Sequence, residues 1–161
     1  QDFGFNHANA IGEIGFKDGE LYLCREIYEF EKDTSELIQI SNSKGINKKL
    51  RMFCDSAEPD RIKMWRKAGY YAEPVVKEPG SVAAQIDYLK QTRIHIHPSC
   101  INTIKEIQQW KWQKDEKTNT FLDKPVNFFD DAMAMLRYSI ELERRKGQQG
   151  RKRRENRTTA F

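Results

Sequence analysis

Residues 9–30, NAIGEIGFKDGELYLCREIYEF, decide the fold class. Two runs within them, AIGEIGF (10–16) and ELYLCREIYEF (20–30), place apolar, β-branched and aromatic side chains in partial alternation, the pattern of strands. Lys17-Asp18-Gly19 between them is a tight-turn signal, so the runs read as an antiparallel hairpin. DFGF (2–5), in front of the hairpin, adds a further strand.

Downstream the pattern changes to alternating helices and strands. DTSELIQISNSKGINKKL (33–50) opens as a helix capped by Asp33 or Thr34. RMFCDS (51–56) is a short apolar strand ending in an aspartate. EPDRIKMWRKAG (58–69) is a helix with Pro59 in its first turn and Gly69 past its end. YYAEPVVKEPG (70–80) is extended and broken by proline. SVAAQIDYLKQ (81–91) carries Val82, Ile86 and Leu89 on one helical face, and RIHIH (93–97) is a strand stopped by Pro98. CINTIKEIQQWKWQ (100–113) is a helix with Ile101, Ile104 and Ile107 on one face. KDEKTNTFLDKP (114–125) is a turn-rich insertion of hairpin type, and a last helix runs from Asp130 to about Arg145. This order predicts an α/β fold. An antiparallel three-strand meander is followed by parallel strands in one mixed sheet, with helices on its faces.

A chain of 161 residues suits one domain with a real core. No apolar run approaches the roughly 18–20 residues of a membrane span. The start has neither a signal-peptide pattern nor an initiator Met, so the chain reads as a piece of a longer protein. Cys24, Cys54 and Cys100 are odd in number and scattered, which argues against a disulfide framework or a zinc site and for a reducing compartment. Charge is concentrated at one end. Residues 144–157 hold Arg144, Arg145, Lys146, Arg151, Lys152, Arg153, Arg154 and Arg157 against Glu155 alone, net +7. The whole chain carries +4, so the remainder is −3. We therefore expect a folded domain over 1–143 and a basic, disordered tail over 144–161 that is drawn to phosphates or merely solubilises the chain.

Acids mark the candidate site. Asp2 lies in the first strand, Asp55 ends an apolar strand, and Asp130 and Asp131 stand together at the start of the last helix. Strand ends of α/β sheets are where ligand sites form. Carboxylates converging from distant segments repel unless a cation neutralises them, and hard ions such as Mg²⁺ or Mn²⁺ take such oxygen ligands. Two ions about 3.5–4 Å apart can activate a water and stabilise the leaving oxygen of a phosphodiester. The same residues also read as an ordinary strand-end acid (Asp2), a turn residue (Asp55) and a helix cap (Asp130).

Four segments together carry a more specific signal. DFGFNHANAIGEIGFKDGELYLCREIY, MFCDSAEPDRI, KEPGSVAAQIDYLKQTRIHIHPSCINTIKEIQQWKWQKDEKTNTFLDKPV and FFDDAMAMLRYS strongly resemble, in the family's order, the C-terminal nuclease domain of the large terminase subunit of tailed bacteriophages. The resemblance spans about residues 2–142. It implies an RNase H-like fold and a Mg²⁺- or Mn²⁺-dependent endonuclease, using two ions, that cuts concatemeric double-stranded viral DNA. It also implies an ATPase motor domain on the N-terminal side, a portal protein and a small terminase subunit as partners, and a place at the procapsid in the host cytoplasm. No Walker A pattern occurs in this chain, in keeping with a dissected nuclease domain. Carried over by position, Asp2 and Asp55 match the first two acidic positions. Asp130 and Asp131 fill the third, and Ala134 stands where many members have another aspartate. Two other readings follow from the same residues: a resolvase- or transposase-type nuclease, or a catalytically silent module that docks DNA or portal.

Around this set, Lys77 sits in a loop where the family often shows Lys and Gly, and is a candidate phosphate contact or a solvated lysine. Lys111 and Lys114, with Lys117 and Lys124, surround Trp110 and Trp112 and are candidate DNA contacts, as are Arg151, Lys152, Arg153 and Arg154 of the tail. His7 reads as a loop residue near Asp2, and His95 and His97 share one strand face without an evident third ligand. On a helical wheel Asp131 falls beside Met135, Tyr138 and Leu142, on an apolar flank that should face the sheet. Asp130 falls beside Arg137 and Glu141, a flank that reads as solvated, and is expected to play the lesser part, as helix cap or as outer ligand near a second ion.

Overall fold

In the computed structural model the described residues are 1, 7–110, 112–114, 121–125, 130–141, 143 and 146, with the backbone alone described for 112–114 and 121–125. The hairpin forms as its sequence predicts. β1 (Asn9–Lys17) and β2 (Glu20–Glu29) pair antiparallel. Asp18 and Gly19 connect them with φ of 53° and 81°, the two left-handed residues that match the twist of a hairpin. The register slips between Glu13 and Ile14, a bulge that bends the ribbon. On its other side β2 pairs parallel with β5 (Ile94–Ile96), giving the order β1-β2-β5.

A second parallel pair joins β3 (Arg51–Cys54) to β4 (Tyr71–Pro74). Gln1 extends it: its amino group donates to the Phe53 carbonyl, and the Asp55 N–H donates to the Gln1 carbonyl at 3.1 Å. Those two bonds straddle Cys54, which is the parallel-ladder pattern. The strand expected over DFGF lies outside the described residues. β6 (Trp112–Lys114) and β7 (Phe121–Pro125) pair as the expected hairpin. Trp112 is thus already strand, and α4 (Ile101–Gln109) is shorter than the predicted 100–113.

The helices divide between two layers. α3 (Ser81–Gln91), α4 and α5 (Asp131–Ser139) cover Leu21 and Leu23 of the sheet through Leu89, Cys100, Met133, Leu136 and Ile140. α1 (Thr34–Ser43) and α2 (Pro59–Lys67) form the other layer, where Leu37, Ile62 and Trp65 pack with Ile11, Ile27 and Cys54. Burying each large apolar side chain in these clusters contributes about 1.5–3 kcal/mol. Asp33 caps α1 in a reciprocal box with Glu36.

α5 is the central element. Every residue from Asp131 to Tyr138 is buried, and the helix lies against β1 so closely that a Cβ on Gly12 would sit 2.5 Å from the Met135 sulfur. The flank holding Arg137 and Glu141 is therefore not solvated. Gln85 of α3 donates to Glu141 at 3.0 Å, and the Arg137 guanidinium donates to Gln85 at 3.4 Å. This polar contact also explains why Gln85 is buried while Val82, counted on the apolar face, is exposed.

Candidate active site

Asp55 follows the last residue of β3, at the carboxyl edge of the β3–β4 pair. Three donors hold its carboxylate. Oδ1 accepts the Lys77 ammonium at 2.7 Å and the Ala57 N–H at 2.8 Å, and Oδ2 accepts the Tyr138 hydroxyl at 3.0 Å. Burial pushes the carboxyl up, but Lys77, the Ala57 N–H and Tyr138 together keep it below the ordinary aspartate value. Asp55 is thus ionised and oriented on α5 through Tyr138.

Asp131 lies seven residues before Tyr138 on the same face of α5, about 10 Å along the axis. Helical side chains lean toward the N-terminus, which shortens the gap for a long tyrosine. Asp131 is 8% exposed. Its Oδ1 lies 2.8 Å from Nδ1 of His7, and its Oδ2 accepts the Ala8 N–H at 3.3 Å. Asp130 sits at the N-cap position, yet its side chain makes no capping bond. Burial first, and then the charge of Asp131, push the Asp130 carboxyl up, while Arg137 pulls it back.

Glu106 of α4 supplies the cap instead. Its Oε2 accepts the N–H groups of Ala132 and Met133 at 2.8 and 3.1 Å, and its Oε1 accepts the Tyr28 hydroxyl at 2.7 Å. Tyr28 lies 3.4 Å from Asp131 as well. A carboxylate from a neighbouring helix meets the free N–H groups and positive end of α5 as well as a local cap would. α4 is held in the same manner: Glu26 of β2 accepts the backbone N–H groups of Asn102 and Thr103 and the Thr103 hydroxyl. This accounts for the buried face of α4, which is Thr103 and Glu106, while Ile101 is exposed. We expect Glu106→Ala to cost about 3 kcal/mol in urea denaturation, because it strands two buried N–H groups and leaves the Tyr28 hydroxyl only its longer contact to Asp131. A loss under about 1 kcal/mol would show that α5 is set without this contact.

The profile of the terminase RNAseH-like domain family matches residues 2–141. The chain belongs to that family. No curated protein matches it significantly. Solved structures agree on the fold of this terminase domain. The nuclease domain of the bacteriophage SPP1 large terminase, solved with bound Mn, superposes with a TM-score of 0.80 at 19% identity, over 88% of this chain and 83% of that one. The nuclease domain of the P22 large terminase gives 0.68 at 18% identity, over 89% and 79%. The large terminase of a thermophilic bacteriophage gives 0.68 at 20% identity, over 86% of this chain but 37% of the other. The terminase domain thus spans little more than a third of that longer protein.

Measured against the expected site of a terminase domain, the structure joins Asp55 to Lys77 and bonds Asp55 to Tyr138, which shares a face of α5 with Asp131. Asp2 lies outside the described residues, directly after Gln1 in the sequence. So do Lys111, Arg151, Lys152, Arg153 and Arg154, and Lys114 is described only as backbone of β6. Among the described residues no group of three His, Cys, Asp or Glu side chains closes on one point. Ala134 is core, packed with Val75 and Tyr138. His95 stacks on Tyr22 and pairs with Glu20 at 2.7 Å, and His97 bonds Ser99. Asp130 and Asp131 are neighbouring carboxylates, half-buried and buried, whose charges repel each other. That chemistry fits a hard divalent cation.

Proposed function

We propose that this terminase domain is a Mg²⁺- or Mn²⁺-dependent endonuclease that cuts concatemeric double-stranded DNA. The observation that carries the reading is the placement of Asp55. It directly follows β3, stays ionised, is fixed to α5 through Tyr138 on the face that Asp131 shares, and donates its N–H to the residue before Asp2. Asp2, Asp55 and Asp131, with Asp130, would hold two ions, which when bound would supply charge to polarise a phosphate and to lower the pKa of a water. The chain's own part is to aim these oxygens. Tyr138 fixes the rotation of Asp55, His7 and the Ala8 N–H fix that of Asp131, and Glu106 fixes the end of α5 that carries it. Lys77 and the lysines 111 and 114 would meet the DNA backbone. In the longer protein an ATPase domain, the portal and a small subunit would be partners, at the procapsid in the host cytoplasm.

Supercoiled plasmid tests the activity. Nicking in Mg²⁺ or Mn²⁺ and none in EDTA is the expected result, and cutting that survives EDTA refutes the metal dependence. The basic tail, residues 144–161, is proposed to add phosphate contacts. Removing everything after Arg144 deletes seven cations. The slope of log affinity against log salt should then flatten by up to about 0.9 for each lost contact. An unchanged slope would assign the tail to another partner.

A further inference from the structure

Lys77 occupies one oxygen of the carboxylate proposed to bind a divalent ion. Its ammonium and the Ala57 N–H both bond Oδ1 of Asp55, which fills the two acceptor directions of that oxygen. The ammonium also lies 5.8 Å over the ring of Tyr138, whose hydroxyl holds Oδ2. A divalent ion that takes Oδ1 of Asp55 therefore meets a positive charge at hydrogen-bond distance from that oxygen. Lys77 is able to leave. Its side chain is half-exposed, whereas that of Asp55 is mostly covered. It rides on the exposed segment 76–80 between β4 and α3, which ends in Gly80 at φ 75°. A lysine is a compact charge on a flexible stem, suited to meeting a phosphate as a point charge.

We propose that Lys77 and a divalent cation compete for Asp55, and that the displaced ammonium then binds the DNA backbone. This rests on the reading of Asp55 as a metal ligand. Its consequence is positive coupling: cation binding frees a DNA contact, and by linkage DNA raises the affinity for the cation. Lysine is the residue this exchange needs. An arginine would grip Asp55 with its planar fork and resist displacement.

The test uses wild type, Lys77→Met and Lys77→Arg. Mn²⁺ affinity is measured by electron paramagnetic resonance, and duplex affinity by fluorescence anisotropy in Ca²⁺ and in EDTA. Lys77→Met should bind Mn²⁺ about fivefold more tightly than wild type, the worth of one partly exposed ion pair. It should lose DNA affinity in Ca²⁺ while matching wild type in EDTA, where Lys77 is engaged with Asp55. Lys77→Arg should bind Mn²⁺ more weakly than wild type. An unchanged or weaker Mn²⁺ affinity in Lys77→Met, or an equal loss of DNA affinity with and without Ca²⁺, overturns the exchange alone. A wild-type chain that takes up no Mn²⁺ overturns both the exchange and the metal reading of the site.

Discussion

Asp55→Asn protein should keep its fold and lose cleavage of plasmid DNA by about 10²-fold or more at any Mn²⁺ concentration that saturates wild type. The substitution preserves shape but removes the charge that would attract the cation, so a ligand is lost outright. Folding should suffer little. The bond to Lys77 is partly exposed and worth about 1 kcal/mol or less, and the single amide oxygen can still accept either the Ala57 N–H or the Tyr138 hydroxyl. pH sharpens this expectation. The folded carboxyl lies below its unfolded value, so Asp55 stabilises the fold above the ordinary aspartate range. That contribution is lost as pH falls through about 3.9 toward the folded value. The small stability advantage of wild type over Asp55→Asn should therefore be present at pH 7 and vanish in acid, as read by urea titration. Full cleavage by Asp55→Asn would remove this residue from the chemistry.

The second large effect distinguishes the two adjacent acids. Asp131→Asn should abolish cleavage, whereas Asp130→Asn should reduce it about tenfold, a loss of the size seen when an outer partner of a metal site is removed. Asp131 shares the face of α5 with Tyr138 and therefore with Asp55, and His7 and the Ala8 N–H already hold its two oxygens. Asp130 feels the charge of Arg137 and has no capping duty, because Glu106 performs it. Its carboxyl is pushed up by burial and by Asp131, and a bound cation would relieve that repulsion. Asp130→Asn should accordingly stabilise the metal-free fold slightly while weakening Mn²⁺ binding. If Asp130→Asn is the more damaging of the two in plasmid nicking, the roles assigned to the pair are reversed.

Much of this arrangement was legible from local chemistry. The φ > 0 turn at Asp18 and Gly19, the cap at Asp33, and Pro59 opening α2 each depend on a few adjacent residues. The side of α5 that faces the sheet was legible too, since Met135 meets Gly12 of β1 and Asp131, at helical spacing from it, accepts the Ala8 N–H beside that strand. What failed to show depended on partners from elsewhere in the chain. Arg137 and Glu141 look solvated on a wheel, and only α3 bringing Gln85 makes their burial tolerable. The wheel for α4 counted isoleucines, but the helix turns Thr103 and Glu106 inward to meet Glu26 and the N-terminus of α5. Their i, i+3 spacing was the one available hint, and nothing in it names the partner. The Lys77–Asp55 pair joins a loop to a strand end 22 residues away, a distance over which no periodicity speaks.

The central claim is that the acids around Asp55 and Asp131 form one divalent-cation site. Anomalous diffraction from a crystal soaked in Mn²⁺ tests it most directly. Strong peaks are expected against carboxylate oxygens of Asp55 and Asp131, with Asp2 as the shared ligand and Asp130 beside the outer ion. Peaks elsewhere on the surface, or Asp55 still closed by Lys77 at saturating Mn²⁺ with no ion against it, would contradict the claim.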